Sequence, residues 1–462
     1  MTDMQIYMQL SAQLEKSFAE LVQSLQTLVR IKSVNAIPEN GCPFGRGVYT
    51  CLEKCLLLGK EFGFLTKNME GICGYVEYGE GKEMVAVLTH LDVVPEGDGW
   101  QYPAYGAEIV GEKIYGRGTV DDKGPAVAAI YALKAIKDSG VSLQRRIRVI
   151  FGCDEETENR SMTYYRSSGE ELPTFGFAPD AGYPIINGEK GSLTLTFAKP
   201  WKSSGACTLL SLHGGSAANL VPDTAEAVIS FPPGMAIPEG SADARLHFTV
   251  RGNEIHVYSH GTSAHAANPQ CGENAIGRLI LWLDTLPLQG EERDTISFLA
   301  QKIGMENYGE SLNLNRHDDL SGNLTLSLGW MELTGGDLRV CFNIRTPVTA
   351  SVKDIHMQMR NAMTAEGFSE KEAKISESLY ITPNSELIHR LSTAFEGMSG
   401  RKAYTRTIGG ETYAKMLPNV VAFGPNWPGE QSLIHCANEN IELEKLKLHT
   451  KITAAAMYEL AK

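Results

Sequence analysis

The chain has 462 residues, 43% of them hydrophobic, and its 55 acidic against 42 basic side chains give a formal charge of −13. At about 150 residues per domain, that is two or three folded units with real cores, and the ordinary apolar content excludes a disordered chain. The acidic balance excludes nucleic acid and anionic membranes as partners, because Arg145, Arg146 and Arg148, the densest basic group, simply lead into an apolar strand.

The first segment predicts an amphipathic helix, with Leu14, Phe18, Leu21, Leu25 and Leu28 on one face. The apolar run 84–89 reads as a buried strand, 124–137 as a helix, 147–152 as a second buried strand and 175–178 as a third. Strand, helix and strand in that order predict an α/β domain with a mainly parallel sheet flanked by helices. Beyond about residue 187 the texture changes. The stretches 193–197, 208–212, 225–231, 245–250, 254–259, 323–331 and 337–345 read as strands separated by turns, with helices at 272–286 and 352–367. That is an α+β pattern with an antiparallel sheet. A helix at 385–398, a strand at 420–423 and a helix at 444–460 close the chain. The expected organisation is a discontinuous catalytic domain, 1–186 and 384–462, interrupted by an inserted lid domain, 187–383.

The nine cysteines are dispersed, and Cys51 with Cys55 reads as two small buried hydrophobes on one helix face. Such usage suits a reducing compartment. The opening residues carry Asp3, Glu15, Lys16, Glu20 and Arg30 and no apolar signal core, and no stretch approaches the about 18 apolar residues that cross a membrane. The expectation is a cytoplasmic protein.

The chemistry-bearing residues stand where strands end. His90 and Asp92 follow the first buried strand, two residues apart on an extended chain and so facing the same way. Glu155 and Glu156 follow the second, and Asp180 follows the third. Ligands bind outside the carboxyl ends of such strands, which directs all three clusters into one crevice. Asp122 is positioned to cap the helix 124–137, whereas Asp121 has no such duty. His435 sits just ahead of the last helix. Singly, each of these is an ordinary solvated loop residue. Together, two imidazoles and three carboxylates can hold two adjacent divalent cations, one carboxylate bridging. Two dications, three carboxylates and a shared hydroxide sum to zero charge, and a water shared by two metals is strongly acidified. Glu155 and Asp92 remain, one to accept a proton and one to hold an imidazole in place.

The segments THLDVVPEGDGW (89–100), YGRGTVDDKGP (115–125), DEETE (154–158), PDAGYPIINGEKG (179–191), GGSAANLVPD (214–223), GTSAHAANPQCGENAI (261–276), FNIRTP (342–347), IGGETYAK (408–415) and HCANE (435–439) occur in this order. In them the chain resembles the co-catalytic dizinc aminoacylase and carboxypeptidase superfamily, and within it the PepV-type bacterial dipeptidases. The resemblance implies His90 and Asp180 as ligands of one metal, Glu156 and His435 of the other, and Asp121 as the bridge. It implies Glu155 as general base, Asp92 as the residue orienting His90, and a cis peptide between Asp121 and Asp122. It makes His265 the oxyanion stabiliser, Asn219 and Arg345 substrate binders, and Gly409 and Gly410 places of close backbone approach to substrate. A guanidinium fork suits a free C-terminal carboxylate. The implied activity is hydrolysis of unblocked dipeptides by a hydroxide shared between two cations, and the resemblance leaves open whether β-alanyl dipeptides such as carnosine are cut as well. Zinc is the expected metal, with manganese or cobalt as alternatives. A long lid implies a monomer that supplies every residue itself. N-acyl amino acid deacylation, or peptide binding without catalysis, are the other readings. Two positions depart from the family's pattern: Glu411 replaces a third glycine and Lys415 stands where arginine is common.

Overall fold

The computed structural model describes residues 2–233, 243–430 and 432–462. The chain divides into two compact units. One comprises Met1–Gly188, Tyr380–Arg406 and Glu411–Lys462, and the other Glu189–Leu379 and Thr407–Gly410.

In the first unit, the strands Leu65–Met69, Cys73–Tyr78, Arg146–Gly152, Met84–His90, Phe175–Ala178, Val420–Ala422 and Ile185–Glu189 lie side by side in that order. The four from Arg146–Gly152 to Val420–Ala422 are mutually parallel, and their flanking neighbours are antiparallel. Every residue of Met84–His90 is buried, the mark of a parallel strand covered on both faces. That is why its sequence is a continuous apolar run rather than an alternation. The helices Lys123–Ser139 and Leu443–Ala461 lie on Met84–His90 and Arg146–Gly152. Asp3–Val29 and Glu386–Ser399 pack against these helices in turn.

The first helix begins at a reciprocal cap: Thr2 N–H donates to Gln5 Oε1 at 2.9 Å and Gln5 N–H to Thr2 Oγ1 at 3.4 Å. Leu14, Leu21, Leu25 and Leu28 are buried as the spacing predicts, and Phe18 packs at the margin of the core. Cys51 and Cys55 are buried in the helix Arg46–Glu61, where burial pushes both thiols up and keeps them inert.

The second unit is built on an eight-stranded sheet in the order Leu246–Arg251, Glu254–His260, Thr224–Ser230, Thr208–Gly214, Thr325–Thr334, Asp337–Thr346, Gly191–Pro200, Ser369–Ser376. Every neighbouring pair is antiparallel. The helices Ala275–Leu283 and Val352–Ala365 cover it. The first of these starts later than the sequence pattern indicates because Asn274 caps it, its Oδ1 accepting from Ile276 and Gly277 at 3.0 and 3.2 Å. The whole is an α/β unit with a mainly parallel sheet and a separate α+β unit with an antiparallel one.

Candidate active site

The parallel strands bring three of the predicted clusters to one end of the sheet. In register, His90 lies opposite Gly152, so the loop bearing Glu155 and Glu156 leaves the sheet beside the imidazole. Phe175–Ala178, on the other side of Met84–His90, delivers Asp180. Asp121 arrives just before the helix Lys123–Ser139, through a peptide to Asp122 that is cis. His435 arrives from the loop ahead of the last helix with φ of +62°, a left-handed conformation uncommon for a residue with a Cβ.

Asp121 is central to the cluster. Its Oδ1 is 2.8 Å from His90 Nε2 and its Oδ2 is 3.0 Å from His435 Nε2. Asp180 Oδ1 lies 3.7 Å from the His90 ring and Glu156 Oε1 3.0 Å from the His435 ring. Donor atoms of His90, Glu155 and Asp180 fall within 4.8 Å of one another, as do those of His90, Asp121 and Glu156. All six are therefore drawn together, with His90 fully buried and His435 about half-exposed.

The electrostatics are those of a cation site. Burial opposes charge on His90, yet Asp121, Asp180 and Asp92 hold its imidazole well above the usual range. Burial also opposes charge on His435, but Asp121 and Glu156 push it up to about 11. Burial raises Glu155 strongly, with Asp180 adding repulsion. Burial and then Asp121 push Glu156 up to about 7 and Asp180 up to about 6. Burial works to raise Asp121 as well, but His435 and His90 keep it below the usual carboxylate range. Imidazole nitrogens and carboxylate oxygens are the donors that borderline and hard divalent cations take. A cation among crowded, desolvated acids removes the repulsion that raises them. The residues present fit a metal.

Two expectations need adjustment. Asp122 occupies the N-cap position but makes no side-chain cap; its Oδ2 accepts the N–H of His90 at 3.0 Å instead. Asp92 meets the His90 ring chiefly through its main-chain oxygen, 3.0 Å from Nδ1, its carboxylate standing at 3.5 Å. That carboxylate accepts from Glu155 N–H at 3.0 Å, Glu156 N–H at 3.1 Å and Asn35 Nδ2 at 3.0 Å. Asp92 therefore holds the loop of both glutamates as well as the imidazole. Tyr413, unassigned from sequence, lies edge-on to His90 with ring centroids 6.2 Å apart. Its hydroxyl presses on Gly152, where an added Cβ would come within 2.1 Å.

Asn219, His265, Arg345, Gly409 and Gly410 belong to the second unit. Asn219 O accepts from Ala266 N–H at 2.9 Å, and Leu220 bridges His265, so Asn219 and His265 lie on adjoining segments. His265 Nδ1 accepts the N–H of Ala267 at 3.0 Å. Gly409 lies against Ala267, whose Cβ would be 3.0 Å from a Cβ placed there. Arg345 is buried on Asp337–Thr346, its Nε donating to Asn343 Oδ1 at 3.0 Å. In the first unit, the two departures from the family pattern face each other, Lys415 Nζ standing 3.7 Å from Glu411 Oε2.

Crowded acids and imidazoles at the carboxyl ends of a parallel sheet define a metal-dependent enzyme. Residues 86–459 match peptidase family M20/M25/M40, and the chain belongs to that family. It is 38% identical over 457 residues to the "Putative dipeptidase YtjP" of Bacillus subtilis (strain 168), covering 96% of this chain and 97% of that one. It is 32% identical over 460 residues to the Beta-Ala-Xaa dipeptidase of Lactobacillus delbrueckii subsp. lactis, covering 96% of each. The fold is that of human carnosine dipeptidase 1, with a TM-score of 0.60 at 17% identity over 98% of both chains. Among the described residues no helix is long and apolar enough to cross a membrane.

Proposed function

We propose that the chain hydrolyses unblocked dipeptides, β-alanyl dipeptides included, using two divalent cations held by His90, Asp121, Glu156, Asp180 and His435, with zinc as the resident metal. The observation that carries this reading is the placement of the Asp121 oxygens, one against each imidazole. A carboxylate so disposed suits a bridge between a His90–Asp180 position and a His435–Glu156 position. The names of the relatives from B. subtilis and L. delbrueckii support a small peptide as substrate.

Bound divalent cations acidify water and polarise a peptide carbonyl. The protein's residues do the rest. Glu155, half-buried beside Asp180, takes the proton of the attacking water and returns it to the leaving amine. Asp92 keeps Glu155 in place through its main-chain N–H. The His265 bond from Ala267 N–H occupies Nδ1 as an acceptor, which leaves the ring proton on Nε2. That proton suits a hydrogen bond to the oxyanion formed at the scissile carbonyl. Arg345 takes the substrate's terminal carboxylate, its fork steadied by Asn343; Asn219 also binds substrate, and Gly409 and Gly410 let substrate approach the main chain.

We assign residues 1–186 and 384–462 to the catalytic domain and 187–383 to the inserted lid, and the chain to a cytoplasmic monomer without nucleic-acid or membrane partners.

A hydrolysis panel on metal-stripped chain, with zinc, manganese or cobalt restored in turn, tests this function. Cleavage confined to free dipeptides and dependent on metal is expected. Cleavage of N-acetyl amino acids alone would move the reaction to deacylation. Silence with metal bound would leave a peptide-binding protein.

A further inference from the structure

Behind Asp121 lies a buried ion pair that no step of the proposed reaction uses. Glu439 is fully buried and Arg117 is 1% exposed. Arg117 Nη1 donates to Glu439 Oε2 at 2.7 Å. The other oxygen, Oε1, accepts main-chain N–H groups from a single loop: Gly118 at 3.1 Å, Val120 at 2.9 Å and Asp121 at 3.3 Å. The Glu439 carbonyl accepts a fourth, from Gly116 at 2.9 Å. Gly118 has φ of +86°, so the loop folds around the carboxylate in a conformation that favours glycine. Charge-assisted bonds to several N–H groups of one loop are each roughly twice as strong as neutral ones, and together they hold its backbone in place.

The pair also reaches two other segments. Arg117 Nη2 donates to the carbonyls of Pro95 and Glu96, each at 3.4 Å, and the guanidinium lies over the Trp100 ring at 5.4 Å. These residues follow His90 and Asp92 in the chain. Glu439 itself stands four residues beyond His435. Between them, Asn438 Oδ1 accepts from Gln101 N–H at 2.7 Å and its Nδ2 donates to Gly99 O at 3.2 Å. The segments that carry His90, Asp121 and His435 therefore meet on one ion pair. A buried ion pair is a poor choice for stability alone, since a packed apolar pair would fill the space without the cost of desolvating two charges.

We propose that Glu439, backed by Arg117, is a positioning residue that fixes Asp121 between His90 and His435 and so sets the spacing of the proposed cation positions. The inference rests on the metal-dependent reading given above, not on the choice of substrate.

The test compares Glu439→Gln, Arg117→Lys and a control, Arg148→Gln. The control breaks a buried pair with Glu77 and Glu170 (2.6 and 3.0 Å) elsewhere in the same unit. Metal affinity is read by competition with a chelating dye, the ligand field by the absorption of the cobalt-loaded chain, and folding by the melting of the metal-free chain. Loss of an outer partner of a metal ligand lowers affinity or activity about 10–100-fold. Glu439→Gln is expected to show a loss of that size in metal affinity and in kcat, with KM nearly constant and a shifted cobalt spectrum. Arg117→Lys, which keeps the charge and loses the fork, should fall between it and wild type. Arg148→Gln should lower the melting temperature and leave metal affinity and spectrum as they were. A Glu439→Gln chain that melts earlier but keeps wild-type affinity and spectrum overturns the proposal. Should that variant not fold, Arg117→Lys decides the same comparison. A wild-type chain that binds cations yet cuts no dipeptide would defeat the proposed reaction and leave this test standing, whereas one that binds no cation overturns both.

Discussion

The Asp92 carboxylate accepts the main-chain N–H of Glu155 at 3.0 Å, so the residue beside the His90 ring also places the proposed base. An amide at this position would set an N–H₂ against one of the two N–H groups it now receives. Asp92→Asn should therefore displace both glutamates while leaving the fold intact. The expected loss in kcat is about 10–100-fold, the range found for outer partners of metal ligands. Metal affinity should fall in parallel, as read by dye competition. Asn35→Ala, which removes the third partner of the same carboxylate, should give a smaller loss of the same kind.

The legible parts of this architecture were those where burial writes itself into the sequence. Met84–His90 and Arg146–Gly152 are covered on both faces, and an apolar run with a charged or imidazole residue at its end marks both the strand and the site. The helix Arg46–Glu61 showed itself only in the spacing of Cys51 and Cys55, and its start carried no mark, because it begins at Gly45 with no side-chain cap. The strand Ser369–Ser376 was hidden for a different reason. It is a sheet edge whose exposed Lys371, Glu372 and Lys374 discourage pairing with another chain and erase the apolar alternation. In the site, Asp121 and His435 were recognisable only within their motifs. The Asp92 bond to the glutamate loop spans 63 residues and the Arg117–Glu439 pair spans 322, distances over which residue spacing carries no geometric information.

Metal uptake should release protons. Without a cation, burial opposes charge on both rings, but the carboxylates that face them hold His90 well above the usual imidazole range and push His435 up to about 11, which favours the protonated imidazoles. A metal ligand must be a neutral imidazole, and each ring that takes a cation gives up its proton. Glu156, pushed up to about 7, adds a partial proton of its own. Calorimetric titration at pH 7 in buffers of different ionisation enthalpy should therefore report a net release of protons on metal binding. Apparent affinity should strengthen as the pH rises from 6 to 8. An uptake independent of buffer and pH would contradict the placement of both imidazoles at cations.

Gly152 has no room for a side chain. A Cβ there would meet the Tyr413 hydroxyl at 2.1 Å and ring carbons at 2.3 and 2.4 Å, all in a fully buried tyrosine. Overpacking of this kind costs about 1–3 kcal/mol, and here the strain falls on the residue paired with His90. Gly152→Ala should lower the melting temperature and reduce kcat together. The double variant Gly152→Ala, Tyr413→Ala should be less destabilised than the two single changes sum to, because one change opens the space the other needs. Additive losses would separate Gly152 from Tyr413.

His265 offers the sharpest separation between binding metal and using it. Its Nδ1 is engaged by Ala267 N–H, so only Nε2 can donate to a developing oxyanion. Removing one such donor costs about 10²–10³ in kcat in acyl transfer. His265→Ala should show a loss of that order, with metal content and metal affinity equal to wild type. Glu155→Gln should be at least as impaired, also with metal bound. If each chain supplies its own full set of residues, mixing the two variants leaves the activity at the sum of their residual rates. Recovery of activity on mixing would mean that the histidine serves a neighbouring chain, and the proposed monomer would have to be replaced by an assembly.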